Sequence, residues 1–324
     1  MDPKESLVLT PQVTLAILTR NHEDFIAEAL ESAVMQSVPF AQVSVLDNGS
    51  TDATKTRILQ WLADHRQYKN VRLMESLRNM NASGGTRVLI DAAETDYVAI
   101  LHGDDKLRPE FHESVKTALT ELQVPTALNV DLQAFTTGDV AAPSNSRTVI
   151  RSYWTGNARI DRLLVRAVNL GTMPGSVLPV SLAQSLRIMS LTEDVCCVED
   201  WIAWMRLLAS GVPIKRIDKV LVDYRRHSSD SGSDERRFSA KVQARALAFE
   251  EASTPLQRAI AARSLISAVR SREFGRSSLP QRYSSLAHEV TSIPLHLRLA
   301  GSVIRLAAIF RVHALAHFAS ARNR

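Results

Sequence analysis

Between residues 13 and 105 the chain alternates short apolar runs with helical patterns, and three of the four runs end in a polar cluster. The runs at 13–18, 43–46, 71–74 and 97–101 are rich in Val, Ile and Leu and read as buried strands. A helical pattern follows from Asp24, with Phe25, Ile26, Ala29, Leu30, Ala33 and Val34 on one face. The second strand ends in Asp47-Asn48-Gly49-Ser50-Thr51-Asp52, turn chemistry leading into a helix that runs to about Leu62. Gly84-Gly85 opens a third helix through Ile90, and Pro109 starts a fourth. This rhythm predicts an α/β fold, a mostly parallel sheet with helices on both faces. Ligands bind such sheets beyond the carboxyl ends of the strands. Thr19-Arg20-Asn21, Asp47-Asn48 and Asp104-Asp105 all fall at those ends and are read as one site.

Beyond residue 125 the rhythm loosens. We expect a strand over 126–135, a loop over 139–147, a helix over 160–168 and a turn or extended segment over 172–176. An apolar helix over 201–208 is entered through Glu199-Asp200 and stopped by Gly211, and a strand at 220–222 leads into Tyr224-Arg225-Arg226-His227. From 239 the pattern is helical, broken at Pro280 and Pro294. With 324 residues, 45% hydrophobic and 23% charged, the chain can bury a substantial core, which excludes disorder as its main state. The adjacent Cys196 and Cys197 give neither a disulfide framework nor a metal quartet, so two reduced thiols and a cytoplasmic setting are expected. The first residues lack the basic and apolar regions of a secretion signal, and no apolar run is long enough to span a membrane.

The net charge of +5 is unevenly spread. Residues 1–235 hold 24 Lys and Arg against 30 Asp and Glu; residues 236–324 hold 15 against 4, and 14 of those cations are Arg. A basic region on an acidic body invites an anionic partner or is a solvated helical surface. Nucleic acid is disfavoured, because the region has no zinc pattern and no aromatic RNA-binding motif. The segment from Leu295 to Phe318, with Arg298, Arg305 and Arg311 among apolar residues, reads as an interfacial helix on anionic lipid, a helix packed on the catalytic core, or a homo-oligomer contact. We place a domain boundary near residue 235, dividing the first domain again near 125.

Two adjacent carboxylates at the end of a buried strand, Asp104-Asp105, either cap the next helix or hold a divalent cation with a phosphorylated ligand, for which hard oxygen donors suit Mg²⁺ or Mn²⁺. Glu199-Asp200 is either a pair of favourable helix-start charges or carries a general base tuned by an apolar setting. His227, beside two arginines and a polar loop over 228–234, is structural or meets metal or phosphate. Other templates fail: the chain has no GxGxxG after its first strand, no GxxxxGK[ST], no GxSxG, no HExxH and no CxxC.

Taken together these residues resemble the inverting GT-A glycosyltransferases of family 2, over roughly residues 11–228. The resemblance rests on Thr19-Arg20-Asn21, the Asp47-Asn48-Gly49-Ser50-Thr51-Asp52 segment, the glycine loop Asn81 to Arg87, His102-Gly103-Asp104-Asp105 in the place of a DxD motif, Val198-Glu199-Asp200 in the place of an xED motif, and Tyr224-Arg225-Arg226-His227. It departs at His102, where many members carry Asp. The resemblance implies a GT-A-type nucleotide-binding fold with a C-terminal helical extension. It implies transfer of a sugar from a nucleotide diphosphate sugar to a saccharide or lipid-linked acceptor, as in bacterial surface polysaccharide or glycolipid assembly. Thr19, Arg20, Asn21, Asp47, Asn48, Gly84, Gly85, Arg87 and Asp104 would bind the donor. Asp104, Asp105 and His227 would hold Mn²⁺ or Mg²⁺. Asp200 would be the catalytic base, with Glu199 orienting it or the acceptor. The protein would sit in the cytoplasm or on the inner face of the membrane. A metal-dependent nucleotidyltransferase, a non-catalytic nucleotide-sugar-binding homologue and an adaptor working through its arginine-rich end are the alternatives.

Overall fold

The structure, a computed structural model, describes residues 10–136, 149–189, 198–226, 234–273, 293–306 and 309. His227, most of the 228–234 loop, the 139–147 loop, Cys196, Cys197, Pro280 and the end of the 295–318 segment lie outside the described residues. In chain order the elements begin with strand β1 (Val13–Thr19), helix α1 (Ile26–Val34), β2 (Gln42–Asn48), α2 (Thr54–Asp64), β3 (Val71–Ser76) and α3 (Asn81–Asp91). They continue with β4 (Tyr97–His102), β5 (Lys106–Leu107), α4 (Phe111–Thr120), β6 (Ala127–Thr136), β7 (Val149–Ile150) and α5 (Ala158–Leu164). The remainder comprises β8 (Val177–Pro179), α6 (Val180–Ser185), α7 (Glu199–Ala209), β9 (Ile214–Arg226), α8 (Asp234–Glu250) and α9 (Pro255–Glu273). A last helix, α10, covers 295–306.

The strands form one sheet in the order β3-β2-β1-β4-β8-β6-β9-β5, with β7 beside β6. β3, β2, β1 and β4 run parallel, each joined to the next in sequence by a helix, as the alternation predicts. β8 enters antiparallel to both β4 and β6, whereas β6 and β9 are parallel, so the sheet is mixed at its second half. Successive side chains of the parallel strands point to opposite faces. Leu15, Ile17, Val43, Val45, Ala99 and Leu101 face α1, α2 and α4; Ala16, Leu18, Leu46, Val98 and Ile100 face the helices of the other layer. Both faces are covered, which is why the runs read as continuous rather than alternating hydrophobics.

Three expectations shift. The helix expected to open at Gly84 begins at Asn81, because Asn81 Oδ1 accepts from the Gly84 amide and caps the first turn. Gly85 lies inside that helix and is buried; a Cβ there would stand 2.4 Å from Leu18 Cδ1, so its absence lets α3 settle on the sheet. The strand expected at 220–222 is the middle of the thirteen-residue β9, where the exposed Asp218 and Lys219 just before it hide the longer pattern. The described residues after 235 pack on the core. One apolar cluster runs from Val98 and Ile100 through Trp204 and Leu208 of α7 into Phe249 of α8 and Ile260 of α9. The buried Arg166 reinforces that joint, donating to the carbonyls of Ala248 and Glu251 at the end of α8, where a cation complements the helix dipole. No helix among the described residues is long and apolar enough to cross a membrane.

Candidate functional site

The carboxyl ends of β1, β2 and β4 meet through side chains that tie one turn to the next. Asn21 adopts a left-handed backbone (φ 55°), where Asn is better tolerated than most residues. Its amide donates to Ser50 Oγ at 3.0 Å, and its Oδ1 accepts from the Thr51 amide at 2.8 Å. Asp47 Oδ1 accepts from both the amide and the hydroxyl of Ser50. Asn48 reaches the other way: its Oδ1 accepts from the Met80 amide and its Nδ2 donates to Asn81 O. Gly49 turns the chain with φ +71°, and a Cβ there would come within 2.6 Å of the Arg78 backbone. Thus Asn21, Asp47 and Asn48 build the rim, while Arg20 stands exposed beside it. Arg87 is engaged one turn further along α3, pairing with Asp91 at 3.3 Å, away from the strand ends.

β4 ends in the acidic turn. Gly103 leaves the strand pressed against β1, where a Cβ would meet Thr19 Oγ1 at 2.4 Å. His102, Asp104 and Asp105 each offer a ligand atom, and these atoms lie within 4.8 Å of one another. One imidazole nitrogen and two carboxylate oxygens form a set that suits Mn²⁺ and tolerates Mg²⁺. His102, set aside in the motif comparison as a departure, therefore joins the candidate metal group. His22 lies between Thr19 Oγ1, 3.3 Å from its Nδ1, and Asp104 Oδ2, 3.8 Å from its Nε2.

Arg225 of β9 fixes this turn, a role that the sequence reading did not assign. Its amide donates to Asp105 Oδ1 and its Nε to Asp104 O, both at 2.8 Å. The buried guanidinium is held between the rings of Phe25 and Phe135, each 4.6 Å away, and its Nη2 donates to Glu28 Oε2. Burial would raise the Glu28 carboxyl, but hydrogen bonds from Lys106 and the Arg225 cation outweigh it and hold Glu28 below its usual range.

The second acidic pair opens α7. Asp200 Oδ1 accepts from the Trp201 amide at 2.7 Å, and Oδ2 accepts from Asn169 Nδ2 at 2.9 Å. Burial, followed by the adjacent Glu199 charge, pushes the Asp200 carboxyl up to about 7; the Asn169 bond acts against them. β8 runs antiparallel to β4, so the segment leading into it arrives at the end of β4 that carries His102. Asn169 lies in the irregular segment before β8, and its amide ties that segment to Asp200. Asn169 was missed because a lone amide in an irregular segment has no periodicity to mark it.

The arrangement is that of a nucleotide-binding α/β fold with a metal-capable turn at the end of a central strand, and structural comparison gives it a class. The fold is shared with the S. aureus protein TarS, residues 1–349, at a TM-score of 0.58 and 18% identity, covering 96% of this chain and 87% of that one. TarS has also been solved with UDP-GlcNAc (TM-score 0.59, 20% identity). The mannosyltransferase PcManGT from Pyrobaculum calidifontis, solved with GDP-Man and Mn²⁺, has the same fold at a TM-score of 0.56 and 15% identity, over 95% of this chain and 87% of that one. Residues 14–128 match the model of the family described as Glycosyl transferase family 2. The succinoglycan biosynthesis protein ExoO of Rhizobium meliloti (strain 1021) is 35% identical over 100 residues, a match spanning 31% of this chain and 27% of that relative. The family segment includes every rim residue and the His102-Asp105 turn, and it ends before Asn169 and Asp200.

Proposed function

We propose that this protein is an inverting glycosyltransferase, moving a sugar from a nucleotide diphosphate sugar to a hydroxyl acceptor. The observation that carries the proposal is the gathering of His102, Asp104 and Asp105 at the end of β4, inside the family 2 segment and facing the Asn21–Asp47–Asn48 rim. His102, Asp104 and Asp105 would hold Mn²⁺ or Mg²⁺, and a divalent ion bound there would neutralise the departing diphosphate. Thr19, Asn21 and Asp47 would take the base and ribose. Asp200, whose carboxyl titrates near neutrality, would accept the acceptor's hydroxyl proton; that oxygen attacks the anomeric carbon from the face opposite the diphosphate, inverting it. Asn169 points the carboxyl, and Glu199 keeps it basic.

The relative named for succinoglycan biosynthesis supports a role in polysaccharide assembly, with a saccharide or lipid-linked acceptor and a cytoplasmic or inner-membrane location. An anionic lipid surface is the partner favoured for α10. Leu295, Leu299, Val303 and Leu306 line one outward face, each more than half exposed, and no acidic residue follows Glu289. Sedimentation with anionic vesicles tests it: Leu299→Glu with Val303→Glu should release the protein, and a stripe used instead for self-association would lower the oligomer mass.

The function is tested by thermal shift with UDP-, GDP-, dTDP- and CMP-sugars, with and without Mn²⁺. One nucleotide family should raise the melting temperature in a metal-dependent way. Asp200→Asn should abolish transfer and leave that shift intact. Release of pyrophosphate rather than a nucleoside diphosphate would assign the site to nucleotidyl transfer instead.

A further inference from the structure

Three arginines of the C-terminal helices stand together, and none of them meets a counter-charge among the described residues. Arg245 of α8 donates through Nε to Ser264 Oγ at 3.1 Å and through Nη1 to Lys241 O at 2.8 Å. Arg305 of α10 donates through Nη2 to Ser267 Oγ at 2.7 Å. Arg263 of α9 lies close enough to repel Arg305, and Arg305 in turn repels Arg245. Among the described residues no carboxylate pairs with any of the three; their partners are hydroxyls, one carbonyl and the ring of Trp201, 4.9 Å from the Arg245 guanidinium. Other partly buried arginines of this protein do have acids: Arg216 meets Asp131, and Arg206 meets Glu251. Burial, and then the Arg305 charge, push the Arg245 guanidinium down to about 10, so the cation is held at a cost that an anion would relieve.

Close packing rather than chance brings these groups together. Gly301 of α10 rests on the backbone of Ala259 and Ile260, where a Cβ would stand 2.9 Å from Ala259. That contact sets Arg305 one turn further along, over Arg263 and Ser267. The cluster also lies beside the candidate base. Trp201, under Arg245, follows Asp200, and Ser264 donates to the carbonyl of Ala167, two residues before Asn169.

We propose that Arg245, Arg263 and Arg305 form a binding site for a phosphate group carried by the acceptor. The site rests on the transferase reading for its purpose, not for its existence. Guanidinium groups bind phosphate oxygens in pairs of charge-assisted bonds, and several cations converging on one anion match a phosphodiester or a lipid-linked diphosphate better than a neutral sugar. Such a site would hold the acceptor by its charged part while one of its hydroxyls meets Asp200.

The first experiment titrates the full chain with sodium pyrophosphate by calorimetry, in EDTA so that the metal-dependent donor site is silent, with sodium chloride at matched ionic strength as control. Saturable binding is expected in the wild type and in Arg57→Gln, an exposed arginine of α2 far in sequence from the trio. Arg305→Gln and Arg263→Gln should each weaken it at least tenfold, and Arg263→Lys should restore part of it. Equal binding in wild type and variants, or none in the wild type, overturns the site. Arg263 is partly exposed and makes no hydrogen bond among the described residues, so its variants keep the test independent of folding. The second experiment separates the sources of phosphate. With the donor identified by thermal shift, the variants should raise KM tenfold for a phosphorylated acceptor and leave KM for its neutral counterpart unchanged. Loss confined to free pyrophosphate would make the site one for a soluble anion and refute its role toward the acceptor. Failure of every nucleotide sugar to bind, with pyrophosphate binding intact, would refute the transferase reading and leave the anion site standing.

Discussion

Replacing Asp200 by Asn should stabilise the fold, and by an amount that depends on pH in one direction. The carboxyl moves from 3.8 to about 7 on folding, chiefly through burial and then through the charge of Glu199. A shift of about three pH units corresponds to about 4 kcal/mol. This is an upper bound, because part of the residue surface remains open to water. The sign follows from linkage: an acid whose folded pKa lies above its unfolded value costs stability only when ionised. Below about pH 4 both states are protonated and the substitution changes little. Between about 4 and 7 the unfolded state ionises first and the cost grows; above 7 it is complete. For a chain of this size the full cost is worth roughly 10 °C in melting temperature. Melts of wild type and Asp200→Asn from pH 4.5 to 8.5 should nearly coincide at the acid end and separate above neutrality, the variant melting higher. A difference that is constant with pH, or a variant that melts lower at pH 8, would refute the claim that Asp200 is held protonated by its surroundings. The same reasoning orders the acid limb of activity. Glu199→Gln removes a like charge and should move the limb to lower pH, whereas Asn169→Ala removes a bond to the carboxylate and should move it higher.

Other elements of the site give separate outcomes. His102→Ala should weaken Mn²⁺ binding about tenfold or more, followed by titration of the Mn²⁺ resonance signal, whereas His102→Asp should retain binding and favour Mg²⁺. Arg225→Met keeps much of the contact with Phe25 and Phe135 but loses the guanidinium's bonds to Asp104 O and Glu28; with charged hydrogen bonds worth about 1.5–3 kcal/mol, it should lower both the melting temperature and metal affinity. Gly49→Ala forces a side chain into a left-handed turn, worth about 1–2 kcal/mol before the clash with Arg78 is added, and should be visible as a lower denaturant midpoint.

The fold was legible wherever both sheet faces are covered. Buried strands such as Val13–Thr19 and Tyr97–His102 carry an unbroken apolar signal, and the polar clusters that end them mark the site edge. The signal failed where exposure interrupts it. Lys215, Arg216, Asp218 and Lys219 alternate with few apolar residues, so only 220–222 of β9 stood out as a strand although β9 is the longest strand among the described residues. Neither could composition alone show that β8 enters antiparallel, since three residues, Val177–Pro179, read the same in either direction.

Within the site, sequence found the residues that carry charge and missed those that aim them. Asp104 and Asp105 are conspicuous as a pair; Arg225, more than a hundred residues later, is one of ten arginines and lysines between residues 200 and 250 in a chain full of cations. Its role exists only once β5 pairs with β9, because that pairing sets Arg225 beside the turn. The same distinction explains Asn169 and the Arg245 cluster. A carboxylate announces a chemical task by its type, whereas an amide or a guanidinium acquires one from its neighbours. The rim residues tie the ends of β1, β2 and α3 into one ledge, so a donor bound there as proposed would meet preformed polar groups. By contrast, the proposed base stands at the start of α7, whose apolar residues are buried in the core, and its carboxylate is aimed by Asn169 and the Trp201 amide. A preformed ledge and a base anchored on a buried helix suit the proposed reaction, in which one face must grip a diphosphate while the other receives an acceptor hydroxyl.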